Sequence, residues 1–401
     1  MENRMNRSIR SLSLIVLLAV ISIPAISQYE LKLTSDEKID TMGFLDSSHH
    51  WYSIFDDDRV IVPLPDQKRY RETEISKIAD NVLLFQKVNG GWPKNYDMLA
   101  ILTDQQKRSV IESANDLNTT FDNGTTHSQV EYLAKAFTAT GDTRYRDACL
   151  RGIDFILSAQ YANGGWPQFY PDTSGYRKYI TFNDGAMAGV MTVLQRIVKH
   201  RRYYSFVDDL RRERVRKAYA NGLDCILRCQ FIQNGVRTAW GQQHDNLDFH
   251  PRDARTFEPA SLCGGESSEI VLLLMNIDQP SSKIVEAVQS AVRWFEKSKI
   301  EGLRVKVIAA PTVLYKYHTA SSDRIVEKDP TAPSIWARLY ELKTNRPIFC
   351  NRDMKIVYTL AEVDRERRTG YSWYTYAPSE VLAKYPGWQK QWAPDVDVLS
   401  H

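Results

Sequence analysis

The sequence predicts an all-α fold in which about three antiparallel helix pairs form an incomplete α/α toroid, with small β-hairpin elaborations. Two observations support this prediction. An amphipathic segment that ends in glutamine occurs three times, and a polar loop that opens a second helix recurs between these segments. Repeated helix pairs bury their apolar faces against their neighbours and can close into a ring. An open solenoid would carry the same repeat, so the closure of the ring is an inference.

The first repeated segment is a helix followed by a tight turn. It occupies residues 78–86, 152–160 and 222–230, each with an aspartate six residues before the final glutamine and apolar residues at helical spacing between them. Asn-Gly-Gly-Trp-Pro follows the first two copies, at residues 89–93 and 163–167, whereas the third copy is reduced to Asn-Gly at 234–235. Asn-Gly is typical of a helix end because both residues tolerate positive φ.

The second repeated element is a polar loop that precedes a helix. Thr120-Phe-Asp-Asn-Gly124 precedes a predicted helix over 126–137, and Thr181-Phe-Asn-Asp-Gly185 precedes one over 186–198. We expect Thr256-Phe-Glu258 to be the third copy, opening a helix from about residue 267. Thr, Asn and Asp are the residue types that cap helix N-termini, so these loops are suited to this position.

The C-terminal part departs from this pattern after a predicted helix over 285–299. Alternating apolar residues predict a small antiparallel hairpin at 302–317, residues 323–333 are typical of a polar loop, and 336–342 predict a short helix. No stretch has the composition of a flexible linker. The sequence therefore predicts a single domain over residues 28–401.

The N-terminus has the features of a secretory signal. Arg4, Arg7 and Arg10 precede an apolar run at 12–23, which is followed by Pro24 and then by Ala25-Ile-Ser27. The run is shorter than the roughly 20 residues that a membrane-spanning helix needs. We expect cleavage after Ser27, so that residues 1–27 are a signal peptide, the protein is exported to the periplasm or beyond the cell, and no membrane span remains.

Charge and cysteine content exclude two classes of protein. The formal net charge is +3 for the whole chain, and removal of the signal leaves about +1, which excludes a protein that coats nucleic acid. The five cysteines are odd in number and lack metal-type spacing, so a disulfide scaffold is excluded as well. A locally basic cleft remains compatible with this balance, and we expect a monomer.

Two groups of polar residues are candidates for a functional site. The stretch 244–269 is a polar loop dense in ionisable side chains, and such loops commonly carry binding or catalytic groups. Asp122 with Asn123, and Asp184 with Asn183, offer the oxygen ligands that calcium prefers. The same residue types also cap helices, so from the residues alone metal binding and plain capping both remain open.

The motifs together resemble the pectate lyases of polysaccharide lyase family 10. The paired polar loops, the Asn-Gly-Gly-Trp-Pro turns and Ala254-Arg-Thr-Phe-Glu-Pro259 carry the resemblance. It continues through three further stretches: Trp336-Ala-Arg-Leu-Tyr-Glu341, Thr344-Asn-Arg-Pro-Ile-Phe-Cys-Asn-Arg-Asp353 and Glu366-Arg-Arg-Thr-Gly-Tyr-Ser-Trp-Tyr374. It thus spans roughly residues 70–375. The resemblance implies an α/α toroid that cleaves α-1,4-linked polygalacturonate by calcium-assisted β-elimination, giving 4,5-unsaturated oligogalacturonides.

The resemblance also implies residue roles. Asp122 and Asp184 match the positions of metal-binding carboxylates, and Arg255 matches the arginine that takes the C5 proton of the substrate. A free guanidinium has a pKa above about 12, so an arginine base requires desolvation and neighbouring cations. The alternative is that Arg255 binds a substrate carboxylate with its two-pronged guanidinium. The sequence leaves both roles open.

Four further residues are candidates for binding the sugar acid chain. Arg352 and Arg346 lie in the arginine-bearing motif, and we favour Arg352 because Arg346 precedes a proline and can simply fix the chain there. Asn123, beside Asp122, and Arg324 complete the set.

Two other functions fit the same architecture. An inverting glycoside hydrolase would use two carboxylates roughly 6.5–9.5 Å apart, and Asp122 and Asp184 could be such a pair. The number of arginines in the motifs and the pairing of Asp with Asn argue against it. A non-catalytic periplasmic protein that binds polyuronate would keep the basic cleft without turnover. The C4–C5 double bond of a lyase product absorbs in the near ultraviolet and separates these alternatives.

Overall fold

The computed structural model describes residues 38–55 and 59–400, so the predicted signal peptide lies outside the described residues. The described helices are α1 (Leu45–Ser53), α2 (Ile75–Phe85), α3 (Asp104–Glu112), α4 (His127–Thr140), α5 (Thr143–Ala159), α6 (Ala186–Val198), α7 (Asp209–Cys229), α8 (Gly264–Met275), α9 (Ser282–Ser298), α10 (Arg365–Gly370) and α11 (Ala377–Trp392). The described strands are β1 (Ile180–Thr181), β2 (Ile232–Gln233), β3 (Val236–Arg237), β4 (Gln243–His244), β5 (Ser261–Cys263), β6 (Leu303–Leu314), β7 (Thr319–Lys328), β8 (Trp336–Ala337), β9 (Leu339–Glu341), β10 (Pro347–Cys350), β11 (Ile356–Val357) and β12 (Tyr374–Thr375).

Eight of these helices form two layers. Helices α2, α5, α7 and α9 pack side by side in chain order, and α4, α6, α8 and α11 form a second layer against them. The main hydrophobic core lies between the layers. This confirms the helix-rich fold and its helix pairs. The described helices do not close into a barrel, so the toroid remains a prediction.

The glutamine at the end of each repeated segment ties one helix to the next. Gln86, Gln160 and Gln230 each donate a side-chain N–H to a carbonyl of the following helix in the layer, at 2.9, 2.8 and 2.9 Å. The acceptors are Ala148 in α5, Ala218 in α7 and Ala287 in α9. The same amide nitrogen also donates to a carbonyl in the turn after its own helix. One glutamine side chain in each repeat therefore links the turn after its own helix to the interior of the next helix in the layer.

The repeated tryptophans pack in the core. Trp92, Trp166 and Trp240 are fully buried, and each indole N–H donates to a carbonyl in the preceding helix at 2.7–2.8 Å. Trp336 makes the same bond to Phe295 in α9, at 2.8 Å. This equivalence shows that α9 and α11 are a fourth helix pair, where the sequence predicted about three.

The third copy of the polar loop is not where the sequence placed it. Thr120 and Thr181 donate their backbone N–H to the carbonyls of Trp92 and Trp166, at 3.0 and 3.1 Å. The residue that makes this bond to Trp240 is Cys263, at 2.8 Å. The expectation that Thr256-Phe-Glu258 is the third copy is therefore wrong. Residues 245–260, here named the Arg255 loop, lie between β4 and β5 and precede the repeated position.

Two C-terminal predictions are also wrong: the short helix at 336–342 and the polar loop at 323–333. Residues 336–342 form β8 and β9 instead of a short helix, because β8 pairs with β12 while β9 pairs with both β5 and β10. The predicted hairpin at 302–317 is real but longer, since β6 pairs with β7, whose second half lies in the expected polar loop. Strand pairing with distant segments outweighs the local helical pattern in the first case.

Other expectations concern cysteines and membrane spans. All five cysteines are buried and unpaired, in agreement with the exclusion of a disulfide scaffold. Within the described ranges, no helix is long and apolar enough to cross a membrane.

Replacing Gln230 by leucine should destabilise the fold. The change removes the side-chain donor to the buried carbonyl of Thr238 and a second bond to the carbonyl of Ala287 inside α9, which costs about 1–3 kcal/mol of unfolding free energy. Urea denaturation measures this loss. Gln105→Leu, at an exposed position of α3, is the control and should stay within about 0.5 kcal/mol of wild type. Equal stability of the two variants would contradict the proposed role of the glutamine.

Candidate active site

Two short turns carry the predicted metal ligands. The 3-10 turns Asp122–Gly124 and Asn183–Gly185 lead towards α4 and α6 and pack against each other. Asn123 and Asp184 occupy equivalent positions in the left-handed region, at φ 51° and 49°, which Asn and Asp tolerate better than most residues. The acid and the amide are thus exchanged between the two turns. The carboxylates of Asp122 and Asp184 nevertheless lie close enough to repel each other electrostatically.

The two aspartates have different electrostatic environments. Asp122 is buried and accepts a 2.9 Å bond from Lys94 Nζ, while its Oδ1 has no partner among the described residues. Burial alone would raise the pKa of Asp122, but the Lys94 charge outweighs it and lowers the pKa. Burial and the charge of Asp122 raise the pKa of Asp184 to about 7. Burial, Glu266 and Asp184 together raise the pKa of Glu269 to about 8.

Arg338 is the central cation of the site. Its Nη2 donates to Asn183 Oδ1 at 2.7 Å and to Glu266 Oε1 at 3.0 Å, and lies 3.8 Å from Asp184 Oδ1. The guanidinium packs over the Tyr371 ring, 4.4 Å from its centroid. Sequence reasoning missed this residue. The signal was present, because Arg338 lies in one of the motifs that carry the family resemblance, but that stretch was expected to be a helix.

Arg255 lies in its loop with its side chain 43% exposed. Its Nε and Nη2 donate to the two oxygens of Glu258 at 2.7 and 2.5 Å, and its guanidinium lies 4.8 Å from the centroid of Phe257. Burial would lower the pKa of Arg255, but the ion pair with Glu258 outweighs it and raises the pKa. The charge of Asp184 acts on Arg255 in the same direction, so Arg255 lies within electrostatic range of the turn that carries Asp184. The guanidinium is therefore cationic in this geometry.

The predicted sugar-binding arginines fall into two places. Arg324 donates to the carbonyl of Tyr371 at 2.7 Å, and burial lowers its pKa. Arg352 makes a two-pronged ion pair with Glu366, at 3.0 Å for both bonds, and lies 5.1 Å from the Phe257 centroid. Arg352 therefore borders the Arg255 loop, and Arg324 holds the segment of Tyr371, whose hydroxyl bonds to Glu258 in that loop.

Arg346 and Asn123 lie in different surroundings. Arg346 stacks on Tyr358, with its guanidinium 3.5 Å from the ring centroid, and its described contacts include none of the charged groups around Asp184. Asn123 is buried and donates to Asn95 Oδ1 at 2.9 Å, so its amide braces the turn beside Asp122. Their predicted roles in substrate binding stay predictions.

The acidic side chains fit part of a calcium site. Among residues 38–55 and 59–400, no three His, Cys, Asp or Glu side chains form a group that could hold a metal ion. However, Asp122 Oδ1 and Glu266 Oε2 are buried without a hydrogen-bond partner in this part of the chain. Carboxylate oxygens are suited to calcium, and a cation would relieve the repulsion that raises the pKa of Asp184. The donor set therefore fits calcium if water or substrate supplies the remaining ligands.

The layered helix pairs thus carry acidic turns and arginines at one site, an arrangement that can bind both a cation and the carboxylates of an acidic ligand. The profile of the family described as pectic acid lyase matches residues 86–382. The chain belongs to this family and is a polysaccharide lyase, which confirms the resemblance seen in the sequence.

Two solved structures are similar to this chain. A family 10 polysaccharide lyase from Cellvibrio cellulosa is 33% identical, with 79% of this chain and 93% of that chain covered and a TM-score of 0.66. A mutant family 10 polysaccharide lyase from Cellvibrio cellulosa in complex with trigalacturonic acid is 32% identical, with 78% and 92% covered and a TM-score of 0.66. A search of curated proteins finds no match.

The metal-free protein should lose stability as pH rises. The pKa values of Asp184 and Glu269 are about 7 and about 8 in the folded state, above the values of about 3.9 and 4.3 in unfolded chains. The folded state therefore binds more protons than the unfolded chain between about pH 4 and 8, and stability falls across this range.

Asp184→Asn should remove part of that loss. In chelator at pH 8 we expect it to raise the unfolding free energy by about 1–3 kcal/mol, with little change at pH 4, as measured by urea denaturation at both pH values. Asp395→Asn, at an exposed carboxylate, is the control. No stabilisation by Asp184→Asn at pH 8 would contradict the electrostatic description of this turn.

Proposed function

We propose that this polysaccharide lyase cleaves α-1,4-linked polygalacturonate by calcium-assisted β-elimination and releases 4,5-unsaturated oligogalacturonides. The observation that carries the proposal is the surroundings of Asp184, which lies 3.8 Å from the guanidinium of Arg338 and is acted on electrostatically by the carboxylate of Asp122 and the guanidinium of Arg255. Carboxylates are suited to calcium, and arginines to the carboxylates of a polyuronate. The related family 10 lyase in complex with trigalacturonic acid supports the same class of substrate.

The reaction requires two contributions from the protein: neutralisation of charge at the substrate carboxylate and a base for the C5 proton. The C5 proton next to the C6 carboxylate goes to a base, and negative charge develops at the carboxylate. The C4–C5 double bond then forms as the C4–O4 bond breaks, and the departing oxygen takes up a proton from water. Calcium, when bound, would neutralise that charge through a direct bond to oxygen. Asp122 and Asp184 are the residues that would hold it, and Arg338 lies beside them with its plane set by Glu266 and Asn183.

Arg255 is the residue that we assign to the C5 proton. Its pKa is raised by Glu258 first and also by the charge of Asp184. A cation bound at Asp184 would cancel the second contribution and lower the pKa of Arg255, as would the nearby charge of Arg338. Metal binding and base activation are thereby coupled through Asp184. If Arg255 instead bound the substrate carboxylate, its guanidinium would have to stay charged throughout the reaction.

The environment of the aspartates disfavours the hydrolase alternative. An inverting glycoside hydrolase needs two carboxyl groups that are free to face the scissile bond from opposite sides, with room for a water molecule between them. Asp122 is paired with Lys94, and Asp184 faces Arg338, so both carboxylates are directed at cations. Export directed by residues 1–27 and a monomeric state complete the proposal.

Purified protein should release product that absorbs in the near ultraviolet from polygalacturonate when calcium is present. A chelator should abolish the absorbance, and added calcium should restore it. Asp122→Ala and Asp184→Ala should raise the calcium concentration required for half-maximal activity. Cleavage without new absorbance would favour the hydrolase, and binding without cleavage would favour a polyuronate-binding protein. Unchanged calcium titrations in both variants would remove the metal assignment.

Arg255→Ala should abolish elimination while the fold persists. Loss of a general base typically costs about 10²–10⁴-fold in rate, and the absorbance assay measures it directly. Arg252→Ala is the matched control, because Arg252 lies in the same loop and pairs with Asp245 and Asp248 instead. Residual activity of Arg255→Ala close to that of the control would contradict the assignment of Arg255.

A further inference from the structure

The guanidinium of Arg255 is held along one edge only. Nε and Nη2 donate to Glu258 Oε2 and Oε1, at 2.7 and 2.5 Å, and the backbone N–H of Arg255 also donates to Oε2 at 3.2 Å. Nη1 has no hydrogen-bond partner in the described part of the chain. A two-pronged pair fixes the plane of a guanidinium as well as its position. The edge that carries Nη1 is therefore the one left for a ligand.

Glu258 is itself held from two directions. Within the loop, its backbone N–H donates to the carbonyl of Arg255 at 2.7 Å, and its carbonyl accepts from the N–H of Ala254 at 3.0 Å. From a distant segment, the hydroxyl of Tyr371 donates to Glu258 Oε1 at 3.0 Å. The glutamate is only 3% exposed, so these bonds replace the water that its charge has lost.

Tyr371 anchors this arrangement in the protein interior. It is buried, and its hydroxyl also accepts from Gln242 Nε2 at 3.0 Å. Gln242 Nε2 donates to Asn183 Oδ1 at 2.8 Å, next to Asp184. Glu258 and the turn that carries Asp184 are therefore held by the same buried groups, Tyr371 and Gln242. This holds although Glu258 lies in the Arg255 loop, between β4 and β5.

We propose that Glu258 is a positioning residue that directs the Nη1 edge of Arg255 at the substrate, and that Tyr371 holds Glu258 in place for this purpose. The inference rests on the proposed function, since it concerns the approach of Arg255 to a uronate. Glu258 needs no contact with the substrate. Both of its carboxylate oxygens are already bonded to Arg255, and one of them to Tyr371 as well.

The role has a geometric part and an electrostatic part. The geometric part is the fixed plane, and a displacement of about 1 Å at a reacting group can cost about 100-fold in rate. The electrostatic part is the negative charge, which raises the pKa of Arg255. The other charged or titratable groups that act on this pair are Asp184, Tyr371, Tyr176 and Arg338, while Arg352 and Arg367 lie over the neighbouring ring of Phe257. These groups are the same in wild type and in the Glu258 variants, so a difference in kcat or in the pH profile reports the effect of Glu258 alone.

The test compares Glu258→Gln and Glu258→Asp with wild type on polygalacturonate at saturating calcium. Glu258→Gln should lower kcat by about 100-fold with KM changed less than roughly threefold, because substrate still meets its other ligands. It should also move the acidic limb of the kcat/KM profile to lower pH, since Arg255 loses the charge that raises its pKa. Glu258→Asp keeps the charge and shortens the side chain, so kcat should fall while the limb stays.

Asp248→Asn is the matched control. It removes a carboxylate of the same loop that pairs with Arg252 at 2.5 Å, and both kcat and the pH profile should stay as in wild type. A folded Glu258→Gln variant with the kcat and acidic limb of wild type would overturn the proposal. If Glu258→Gln does not fold, Tyr371→Phe replaces it, because it removes one donor and keeps the carboxylate. A fall in kcat of about tenfold is then expected, and an unchanged kcat overturns the proposal.

Failure of this inference can be distinguished from failure of the proposed function. If wild type forms no unsaturated product, the proposed function fails. If wild type is active and Arg255→Ala is inactive while Glu258→Gln keeps full activity, only the positioning role of Glu258 fails.

Discussion

The site depends on a buried chain of hydrogen bonds that joins Arg255 to the turn carrying Asp184. The chain runs from Arg255 through Glu258 and Tyr371 to Gln242, which donates to Asn183 and to Glu266. Charges removed from water are costly unless each is paired and hydrogen-bonded. Every member therefore constrains its neighbours, and the loop, the helix starts and the C-terminal segment have to assemble together. Arg338 closes the chain by bonding Asn183 and Glu266 at once.

The acidic half and the cationic half of this hydrogen-bond chain come from different parts of the fold. The acidic half belongs to the repeat, because the two equivalent turns that lead into α4 and α6 carry Asp122 and Asp184. The cationic half comes from segments outside the repeat: the Arg255 loop and the link between β8 and β9 that carries Arg338. Helix pairs supply a rigid frame held by the glutamine and tryptophan bonds, and the inserted segments supply the chemistry specific to an acidic polymer.

The electrostatics connect metal binding to the proposed proton transfer. Without a cation, burial and the neighbouring carboxylates hold the pKa values of Asp184 and Glu269 near neutrality, and that repulsion costs stability at higher pH. The same negative charge at Asp184 helps to keep Arg255 protonated. A bound cation would act on both at once, which gives a physical reason for an arginine base to require calcium in this proposed mechanism.

The sequence by itself predicted the helix pairs, the Asn-Gly turns that follow α2 and α5, the family, and Asp122, Asp184 and Arg255 as candidates for the site. These follow from periodicity and short motifs, which are local properties of the chain. For example, residues 186–198 form α6, with the same bounds as the predicted helix. Only the tertiary structure decided that 336–342 is extended, that Cys263 and not Thr256-Phe-Glu258 occupies the third repeat position, and that a fourth pair exists. Only it showed that Arg338 meets Glu266 and that Glu258 holds Arg255. The reason is physical: strand pairing and buried ion pairs join residues far apart in the chain, and their energy depends on burial that no local pattern records.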